Sequence, residues 1–273
     1  MKLSKTCIES SKDLDFTFWE VYKYGGCSKV YLDQDNNKVY KVYRDYQTER
    51  KKQYIYNNLL ELIQNSYKID GNEIVLPSTL YLNEEGILET QKMEYIDGIC
   101  GVNTLREFYN SKKYTLLIMR FIKLIKKYTN KGFVIEDLKL SNIIFDKNFN
   151  PKIIDSDFIS ACEIKDIFSQ SIFIREYTEK FNSSLKTDYN LFCLYFCISM
   201  LLLTEEEFQI AMNISKWPSV ENLKAINYFI QKNNSIPQVF KLELRNLFSG
   251  DKDITFSVDV EYDINDYLIR KKI

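Results

Sequence analysis

The chain has 273 residues, of which 45% are hydrophobic and 27% charged, and its formal net charge is −1. This composition is typical of a globular protein with a substantial core, and the near-zero charge predicts no attraction to nucleic acid or to a membrane surface. The sequence contains no histidine, which excludes Ser-His-Asp and Cys-His catalysis and leaves acid–base chemistry to carboxylates, lysine and tyrosine.

Cysteine usage and hydropathy predict a protein of the cytoplasm. The six cysteines form neither a CxxC pair nor a dense framework, which favours a reducing compartment over disulfide bonding. The N-terminal residues lack the apolar stretch of a signal peptide. The most apolar run, Leu191–Leu203, is shorter than the about 20 residues that cross a bilayer, so it predicts a buried core helix.

Residues 16–95 are predicted to form mainly strands with one helix among them. The helix is Asp45–Asn65, a stretch without glycine or proline. Asp35-Asn36-Asn37 is a hairpin turn signal, and Gly25-Gly26 separates another pair of strands. The predicted strands are Phe18–Tyr24, Lys29–Leu32, Lys38–Tyr43, Thr79–Leu82 and Gly86–Tyr95.

From residue 98 onward the pattern is mainly helical. Tyr114–Thr129 carries apolar residues at helical spacing, and Gly132 is placed to end that helix. Residues 132–157 are predicted to form a loop, a hairpin and a second loop. A buried helix is expected after Asp188, and further helices follow to the end of the chain.

The segment 132–157 places polar side chains at the ends of short apolar strands. Asp137 can accept or orient the proton of a hydroxyl group, and Lys139 can neutralise charge on a transferring phosphoryl group. Asn142 and Asp155 offer oxygen atoms to a hard cation such as Mg²⁺. Taken singly, Asp137 is more typical of a cap or a surface acid, and Asp155 is also consistent with a turn residue at the end of a strand. Together they favour phosphoryl transfer, which depends on positioning and charge stabilisation.

The order and spacing of these residues resemble the catalytic core of the eukaryotic-like Ser/Thr protein kinase superfamily. Asp137, Lys139 and Asn142 fit the pattern D-x-K-x-x-N of that family's catalytic loop. Asp155 follows the asparagine by 13 positions, at the place of the metal-binding D-F-G motif. A helix start of the D-Y-x-L-F kind stands at Asp188.

Upstream residues agree with this resemblance. Val39-Tyr40-Lys41 resembles the V-A-I-K strand, and Met93-Glu94-Tyr95 resembles the hinge segment. The resemblance covers about residues 20–200 and implies an α+β, two-lobed protein-kinase-like fold. A small, β-rich N-lobe with one helix would comprise residues 1–95, and a larger, mainly helical C-lobe residues 96–273, within a single kinase-like domain.

The resemblance implies an ATP- and Mg²⁺-dependent phosphotransferase that acts on a protein hydroxyl. The near-zero net charge predicts no nucleic-acid or membrane partner. Asp137 would be the catalytic residue that faces the acceptor hydroxyl, and Lys139 would contact the γ-phosphate. Asn142 and Asp155 would hold Mg²⁺, and Lys41 would contact the α- and β-phosphates.

In the same family, the strand lysine pairs with a helix glutamate. Glu49 is the first choice for this partner of Lys41, and Glu61 is the second. Glu49 is equally consistent with a solvated acidic residue of the helix. The residues that place it on one helical face are Gln53, Tyr56, Leu60 and Ile63.

Other positions of the resemblance would surround the nucleotide. Gly25 and Gly26 are equally consistent with a phosphate-binding loop and with a plain turn. Adenine would lie between apolar side chains and against the backbone of the hinge. The residues concerned are Val30, Val39, Met93, Glu94, Ile96 and Ile144.

The sequence departs from the family pattern at several places. Only Gly25 falls on a glycine position of the family's glycine-rich loop. Glu136 stands where the family has an arginine, so activation by phosphorylation of a loop is not expected. The D-F-G position reads Asp155-Ser156-Asp157, which makes Asp157 a candidate additional neighbour of Mg²⁺.

Two other functions remain open. Asp157 favours a small-molecule phosphotransferase of the aminoglycoside or choline kinase type, in which an acidic residue two positions after the metal-binding aspartate is frequent. The loop with only one of the family's glycines, together with Ser156, favours a pseudokinase that binds nucleotide without turnover. Lys139 favours the protein kinase, because the family's protein-directed members carry lysine there.

Overall fold

The computed structural model describes residues 6–103, 107–108, 111–161, 172–181, 186–214, 220–250 and 253–271. The fold is α+β, as predicted. The chain divides into two compact units. Residues up to Asp97 form the first unit together with Lys152–Ile159, and Gly98–Pro151 with the residues from Ser160 onward form the second. The sequence predicts a boundary between residues 95 and 96, with 152–159 on the C-terminal side of it.

The first unit is built on a mixed six-stranded sheet. Its strands are β1 (Cys7–Ser10), β2 (Val21–Tyr24), β3 (Ser28–Asp33), β4 (Lys38–Tyr43), β5 (Pro77–Leu82) and β6 (Leu88–Glu94). Their order across the sheet is β1-β5-β6-β4-β3-β2, and only β1 and β5 run parallel. The strand predicted over Lys38–Tyr43 is confirmed with the same bounds, whereas the one predicted from Phe18 begins at Val21.

Alternation along β4 separates the two faces of this sheet. Tyr40 lies on one face, where it forms a buried aromatic cluster with Tyr31 and Tyr81, and Phe16 packs against it. The rings of Phe16 and Tyr31 are stacked, with their centroids 4.9 Å apart. Lys41, the next residue, projects to the opposite face because successive side chains of a strand alternate. The aromatic cluster therefore lies on one face of the sheet, and Lys41 lies on the other.

The helix α1 (Glu49–Gln64) lies against β6. It begins later than the predicted Asp45, because the Thr48 side chain accepts a hydrogen bond from the backbone N–H of Lys51 at 3.3 Å and caps the first turn. Buried residues recur at intervals of three and four along the helix, the spacing of one amphipathic face. They are Lys52, Ile55, Asn58, Leu59 and Leu62.

The second unit contains short strands between long helices. These strands are β7 (Gly98–Cys100), β8 (Val134–Ile135) and β9 (Ile143–Asp146), and β7 pairs with β9 in antiparallel register. Gly98 is required in this pair, because a Cβ atom there would collide with the carbonyl oxygen of Phe145. Two further strands, β10 (Pro151–Ile153) and β11 (Ile159–Ser160), lie at the two ends of the segment 152–159.

The described helices of the second unit include one that is apolar and buried over nearly its whole length. They are α2 (Lys112–Asn130), α3 (Ile172–Phe181), α4 (Asp188–Leu202), α5 (Glu205–Asn213), α6 (Val220–Lys232), α7 (Gln238–Ser249) and α8 (Val258–Arg270). The predicted core helix is confirmed as α4, which is buried over nearly its whole length and contacts α2, α3, α6 and β8. In the described part of the chain, no helix is both long and apolar enough to cross a membrane.

The segment 152–159 is fixed to the first unit by backbone hydrogen bonds. The N–H of Ile153 donates to the carbonyl of Glu73 at 2.8 Å, and the N–H of Val75 donates to the carbonyl of Ile153 at 2.8 Å. At the other end of the segment, the rings of Phe158 and Tyr54 lie 6.3 Å apart. The acidic residues between these two anchors are therefore held at defined positions beside the sheet and α1.

Candidate functional site

Lys41 is the centre of a buried charged cluster in the first unit. Its Nζ lies 2.8 Å from Asp155 Oδ1 and 2.7 Å from Asp157 Oδ2. Lys41 is on β4, whereas Asp155 follows it by 114 positions, on the segment 152–159. The fold thus brings together two residues that the sequence analysis had assigned separately, one to phosphate contact and one to metal binding.

Tyr43 and Gln91 complete this cluster around Asp157. Tyr43 follows Lys41 by two positions, so it projects to the same face of the sheet, and Gln91 is the register partner of Lys41 on β6. The Tyr43 hydroxyl donates to Asp157 Oδ2 at 2.8 Å. Gln91 Nε2 donates to Asp157 Oδ1 at 2.7 Å and also contacts the Tyr43 hydroxyl. Asp157, only 2% exposed, therefore accepts from three different side chains.

Charge and burial set the protonation states in this cluster. Burial alone would lower the pKa of Lys41, but the negative charges of Asp155 and then Asp157 outweigh it and raise the pKa above its ordinary 10.5. Burial, and then the charge of Asp157, raise the pKa of Tyr43 well above its ordinary value. At neutral pH the lysine is therefore an ammonium ion, and the tyrosine is a neutral phenol that can donate a hydrogen bond.

Three of the residues assigned to adenine lie on the same face of the sheet as Lys41. Val30 is the register partner of Lys41 on β3, and Val39 precedes Lys41 by two positions on β4. Met93 on β6 is the register partner of Val39. Residues directly opposite each other in antiparallel strands project to the same side. The structure therefore brings Val30, Val39 and Met93 together with Lys41, as one face of β3, β4 and β6.

The hinge positions follow at the end of β6. Glu94 is its last residue, and its exposed side chain forms an ion pair with Lys38 on β4. Ile96 lies two residues further on, half-buried and outside any regular element. The backbone N–H of Tyr95, between them, donates to the carbonyl of Asn37 at 3.1 Å. The assignment of Glu94 and Ile96 to adenine remains a prediction from the sequence.

The two glycines form a turn whose backbone groups are largely engaged. The N–H of Gly25 donates to the carbonyl of Ser28 at 2.9 Å. The carbonyl of Gly25 accepts from Arg44 at 3.0 Å, and the carbonyl of Gly26 accepts from the hydroxyl of Tyr46. Neither glycine has a positive φ. The Gly25 amide therefore serves the turn in this structure, which agrees with the plain-turn interpretation at that position.

The structure does not form the expected pair between Lys41 and Glu49. Glu49 is the first residue of α1, and its side chain is exposed. The ion pairs of Lys41 within the described chain are those with Asp155 and Asp157. Glu61, the second choice, lies near the other end of α1 and is half-buried. The partner of the strand lysine therefore comes from the segment 152–159.

A second polar cluster in the second unit contains the three predicted residues of the D-x-K-x-x-N pattern. Asp137 follows β8, and a 3₁₀ turn, Leu140–Asn142, brings the asparagine back towards it. Lys139 Nζ donates to Asp137 Oδ2 at 2.7 Å. Asn142 Nδ2 donates to the same oxygen at 3.1 Å and to the Asp137 carbonyl at 3.0 Å. Ile144, the remaining adenine candidate, is a half-buried residue of β9 in this unit.

Two residues of α4 that the sequence analysis missed hold the backbone in front of Asp137. The Tyr189 hydroxyl donates to the carbonyl of Glu136 at 2.8 Å. Asn190 Oδ1 accepts from the N–H of Ile135 at 2.8 Å, and its Nδ2 donates to the carbonyl of Phe133 at 2.7 Å. An asparagine directly before the most apolar run of the chain is the signal that could have identified it, because a buried amide needs partners.

Asn142 and Asp155 have the chemistry that a magnesium ion requires. The nitrogen of the Asn142 amide faces Asp137, so its oxygen points away from that carboxylate. Asp155 is 28% exposed and contacts Lys41 through Oδ1. Amide and carboxylate oxygens are typical ligands of hard cations. Asn142 belongs to the second unit and Asp155 to the first. Across the described ranges, no group of three or more His, Cys, Asp or Glu side chains is arranged to hold a metal.

Asp157 does not fit the role of an additional magnesium neighbour. Its Oδ1 accepts from Gln91, and its Oδ2 accepts from Lys41 and Tyr43. A buried carboxylate whose two oxygens are both engaged offers little to a cation. This corrects the expectation from the sequence, because Asp157 is engaged by Lys41, Tyr43 and Gln91.

Comparison of the sequence with known proteins does not identify a family. No protein-family model matches the chain, and no curated protein matches it.

Proposed function

We propose that this protein is an ATP- and Mg²⁺-dependent phosphotransferase with a two-lobed protein-kinase-like fold. It would transfer the γ-phosphate of ATP to a serine or threonine hydroxyl of a protein, in the reducing environment of the cytoplasm. Lys41 and the adenine-facing side chains of β3, β4 and β6 belong to the first unit, whereas Ile144 and the acceptor-facing residues belong to the second.

The contact between Lys41 and Asp155 carries this proposal. The two residues were selected from unrelated parts of the sequence, one by a strand motif and one by its distance from Asn142. They lie 114 positions apart in the chain, yet their charged atoms are 2.8 Å apart. A lysine for nucleotide phosphates and a carboxylate for the metal that bridges those phosphates belong side by side in a phosphotransferase.

The cluster around Asp137 supports the transfer step. Its carboxylate can accept a hydroxyl proton, and hydrogen bonds from Lys139 and Asn142 fix its orientation. Lys139 is partly exposed, so its ammonium group can lie beside a phosphoryl group and stabilise the negative charge there. Bound Mg²⁺ would supply neutralisation of phosphate charge, with Asn142 and Asp155 as the residues to hold it.

The engaged glycine turn supports the second candidate, a pseudokinase. Backbone amides of a glycine-rich loop bind phosphate only when they point to it, and the Gly25 amide is hydrogen-bonded to Ser28. A pseudokinase would bind nucleotide through Lys41 and the adenine-facing side chains without transferring phosphate. Turnover therefore distinguishes the two candidates.

The intact mass of the protein after incubation with Mg²⁺-ATP tests the proposal. We expect the wild type, alone or with casein as acceptor, to transfer phosphate and Asp155→Asn to lose at least about 99% of that activity, because a metal ligand is neutralised. The matched control is Asp35→Asn, which removes an exposed carboxylate in the turn after β3.

Each outcome has a defined meaning. If the wild type and Asp35→Asn transfer phosphate and Asp155→Asn does not, the protein kinase proposal is supported. ATP consumption only with small-molecule acceptors would assign the protein to the metabolite kinases, and nucleotide binding without turnover would assign it to the pseudokinases. Equal activity of Asp155→Asn, or a wild type that neither binds nor consumes ATP, would overturn the proposal.

A further inference from the structure

Lys41 contacts two carboxylates with different surroundings. Asp155 and Asp157 both lie within 2.8 Å of its ammonium group, but the Asp155 side chain is 28% exposed and the Asp157 side chain only 2%. Because the two carboxylates differ in exposure, they can have different roles. The exposed one can meet a ligand, whereas the buried one can meet only protein.

The surroundings of Asp157 hold it in place from several sides. Tyr43 and Gln91 donate to it from β4 and β6. Asn58 on the buried face of α1 donates to its backbone carbonyl at 3.4 Å. A carboxylate with three side-chain donors in a buried site loses much of its freedom to rotate, and its hydrogen bonds gain strength because water is excluded.

We propose that Asp157 is the positioning residue of Lys41 and takes the place that the resemblance assigns to a helix glutamate. This role of Asp157 rests on the proposed function. It means that the sheet and the segment 152–159 orient the ammonium group of Lys41. The orientation of Lys41 then does not depend on an acidic residue of α1. Asp155 remains able to face Mg²⁺ while Asp157 keeps the lysine in place.

Chemical labelling of Lys41 tests this assignment without requiring enzymatic activity. Acetic anhydride acetylates unprotonated amines, and peptide mass spectrometry measures the rate at each lysine, with exposed Lys29 on β3 as internal reference. We expect Asp157→Asn to raise the rate at Lys41 by about tenfold, because the ammonium group loses one of its two charged hydrogen-bond partners. Glu49→Gln should leave that rate within about twofold of the wild type, since exposed, screened charges couple weakly.

Ligand affinity provides a readout that a purely structural role would not change selectively. Asp157→Asn should weaken binding of ATP by about tenfold, since a charge-assisted hydrogen bond that orients the lysine is lost. Adenosine, which has no phosphate, should bind within about twofold of the wild type, because the adenine-facing side chains are unchanged. Asp35→Asn serves as the control with both ligands.

The outcomes separate this inference from the proposed function. A wild type that binds neither ATP nor adenosine overturns the proposed function, while the labelling experiment still decides whether Asp157 holds Lys41. Unchanged labelling in Asp157→Asn, or a larger effect in Glu49→Gln, overturns the inference. If Asp157→Asn does not fold, Tyr43→Phe is measured in its place, since it removes one donor to Asp157. It should weaken binding of ATP, but not of adenosine, by about threefold. If Tyr43→Phe binds ATP as tightly as the wild type, the inference is overturned.

Discussion

Two buried thiols show how strongly burial controls the chemistry of single residues in this protein. Cys193 and Cys197 lie one turn apart on α4, and neither side chain is exposed. Burial raises the pKa of Cys193 well above its ordinary value and raises the pKa of Cys197 to about 12. Because the thiolate is the reactive form, both residues should be inert members of the core.

Alkylation by iodoacetamide at pH 8 checks this expectation. A pKa of about 12 in place of 9.0 leaves about a thousandfold less thiolate at Cys197. Exposed Cys7 should therefore be modified in the folded protein, whereas Cys193 and Cys197 should be modified only in urea. Peptide mapping by mass spectrometry identifies each site. Rapid modification of Cys197 without denaturant would contradict its place in a packed core.

The residues of the Lys41 cluster differ in how far the sequence could identify them. Lys41 and Asp155 were found because their motifs have a characteristic order and spacing. Gln91 was not, because it meets Asp157 only through its register opposite Lys41, and register depends on the pairing of distant strands. The sequence makes Asp157 only a candidate neighbour of Mg²⁺, since its burial is set by the fold and not by neighbouring residues.

The prediction for Glu49 failed for a reason that lies in the helix itself. It was grouped with Gln53, Tyr56, Leu60 and Ile63, which form a partly apolar stripe of α1. The structure buries the adjacent stripe of Ile55, Leu59 and Leu62. Both stripes have helical spacing, so periodicity alone does not select between them. The packing of α1 against β6 makes the selection.

At the level of elements, α4 supports the segment that carries Asp137. Its first turn supplies Tyr189 and Asn190, which hydrogen-bond to the backbone of residues 133–136. The buried remainder of α4 fixes these two side chains, since the helix contacts α2, α3, α6 and β8. The site in the second unit therefore depends on a helix that is otherwise apolar core.

Replacing Asn190 with leucine should expose this dependence. The change leaves the N–H of Ile135 and the carbonyl of Phe133 buried without their partner. We expect the free energy of unfolding to fall by roughly 2–6 kcal/mol, since each of the two unsatisfied buried groups costs about 1–3 kcal/mol. Urea unfolding followed by circular dichroism measures the change. Asn130→Leu, at the exposed end of α2, is the control and should stay within about 0.5 kcal/mol. An Asn190→Leu variant as stable as the wild type would show that these bonds contribute little.

Local sequence patterns were most informative for elements with a strong periodic signal. β4 was predicted with its observed bounds, and the core helix over Leu191–Leu203 matches α4 closely. The start of α1 was misplaced because Asp45-Tyr46-Gln47 also suits a helix, and the cap at Thr48 decided its beginning. The pairing of Ile153 with Glu73 and Val75 was not predicted, because it joins residues far apart in the chain.

At the level of the whole molecule, the candidate residues are distributed over both units of the chain. Lys41 and Asp155 belong to the first, and Asp137, Lys139 and Asn142 belong to the second. The return of the segment 152–159 to the first unit is what places Asp155 beside Lys41. A ligand that needs the folded arrangement of either set would bind the folded chain and not the unfolded one, and would therefore stabilise it.

Thermal unfolding with and without ligand measures this linkage. At a Mg²⁺-ATP concentration 100 times its dissociation constant, folding should be stabilised by about 2.7 kcal/mol, and the midpoint should rise by roughly 5 °C or more. Removing Mg²⁺ with EDTA should reduce the rise, because carboxylate and phosphate charges then repel each other.

Asn142→Ala should lose the Mg²⁺-dependent part of the rise in midpoint, when the rise is measured from that variant's own midpoint without ligand. Asn148→Ala, an exposed asparagine in the turn after β9, should retain it. A Mg²⁺-dependent rise of equal size in Asn142→Ala would exclude Asn142 from metal binding.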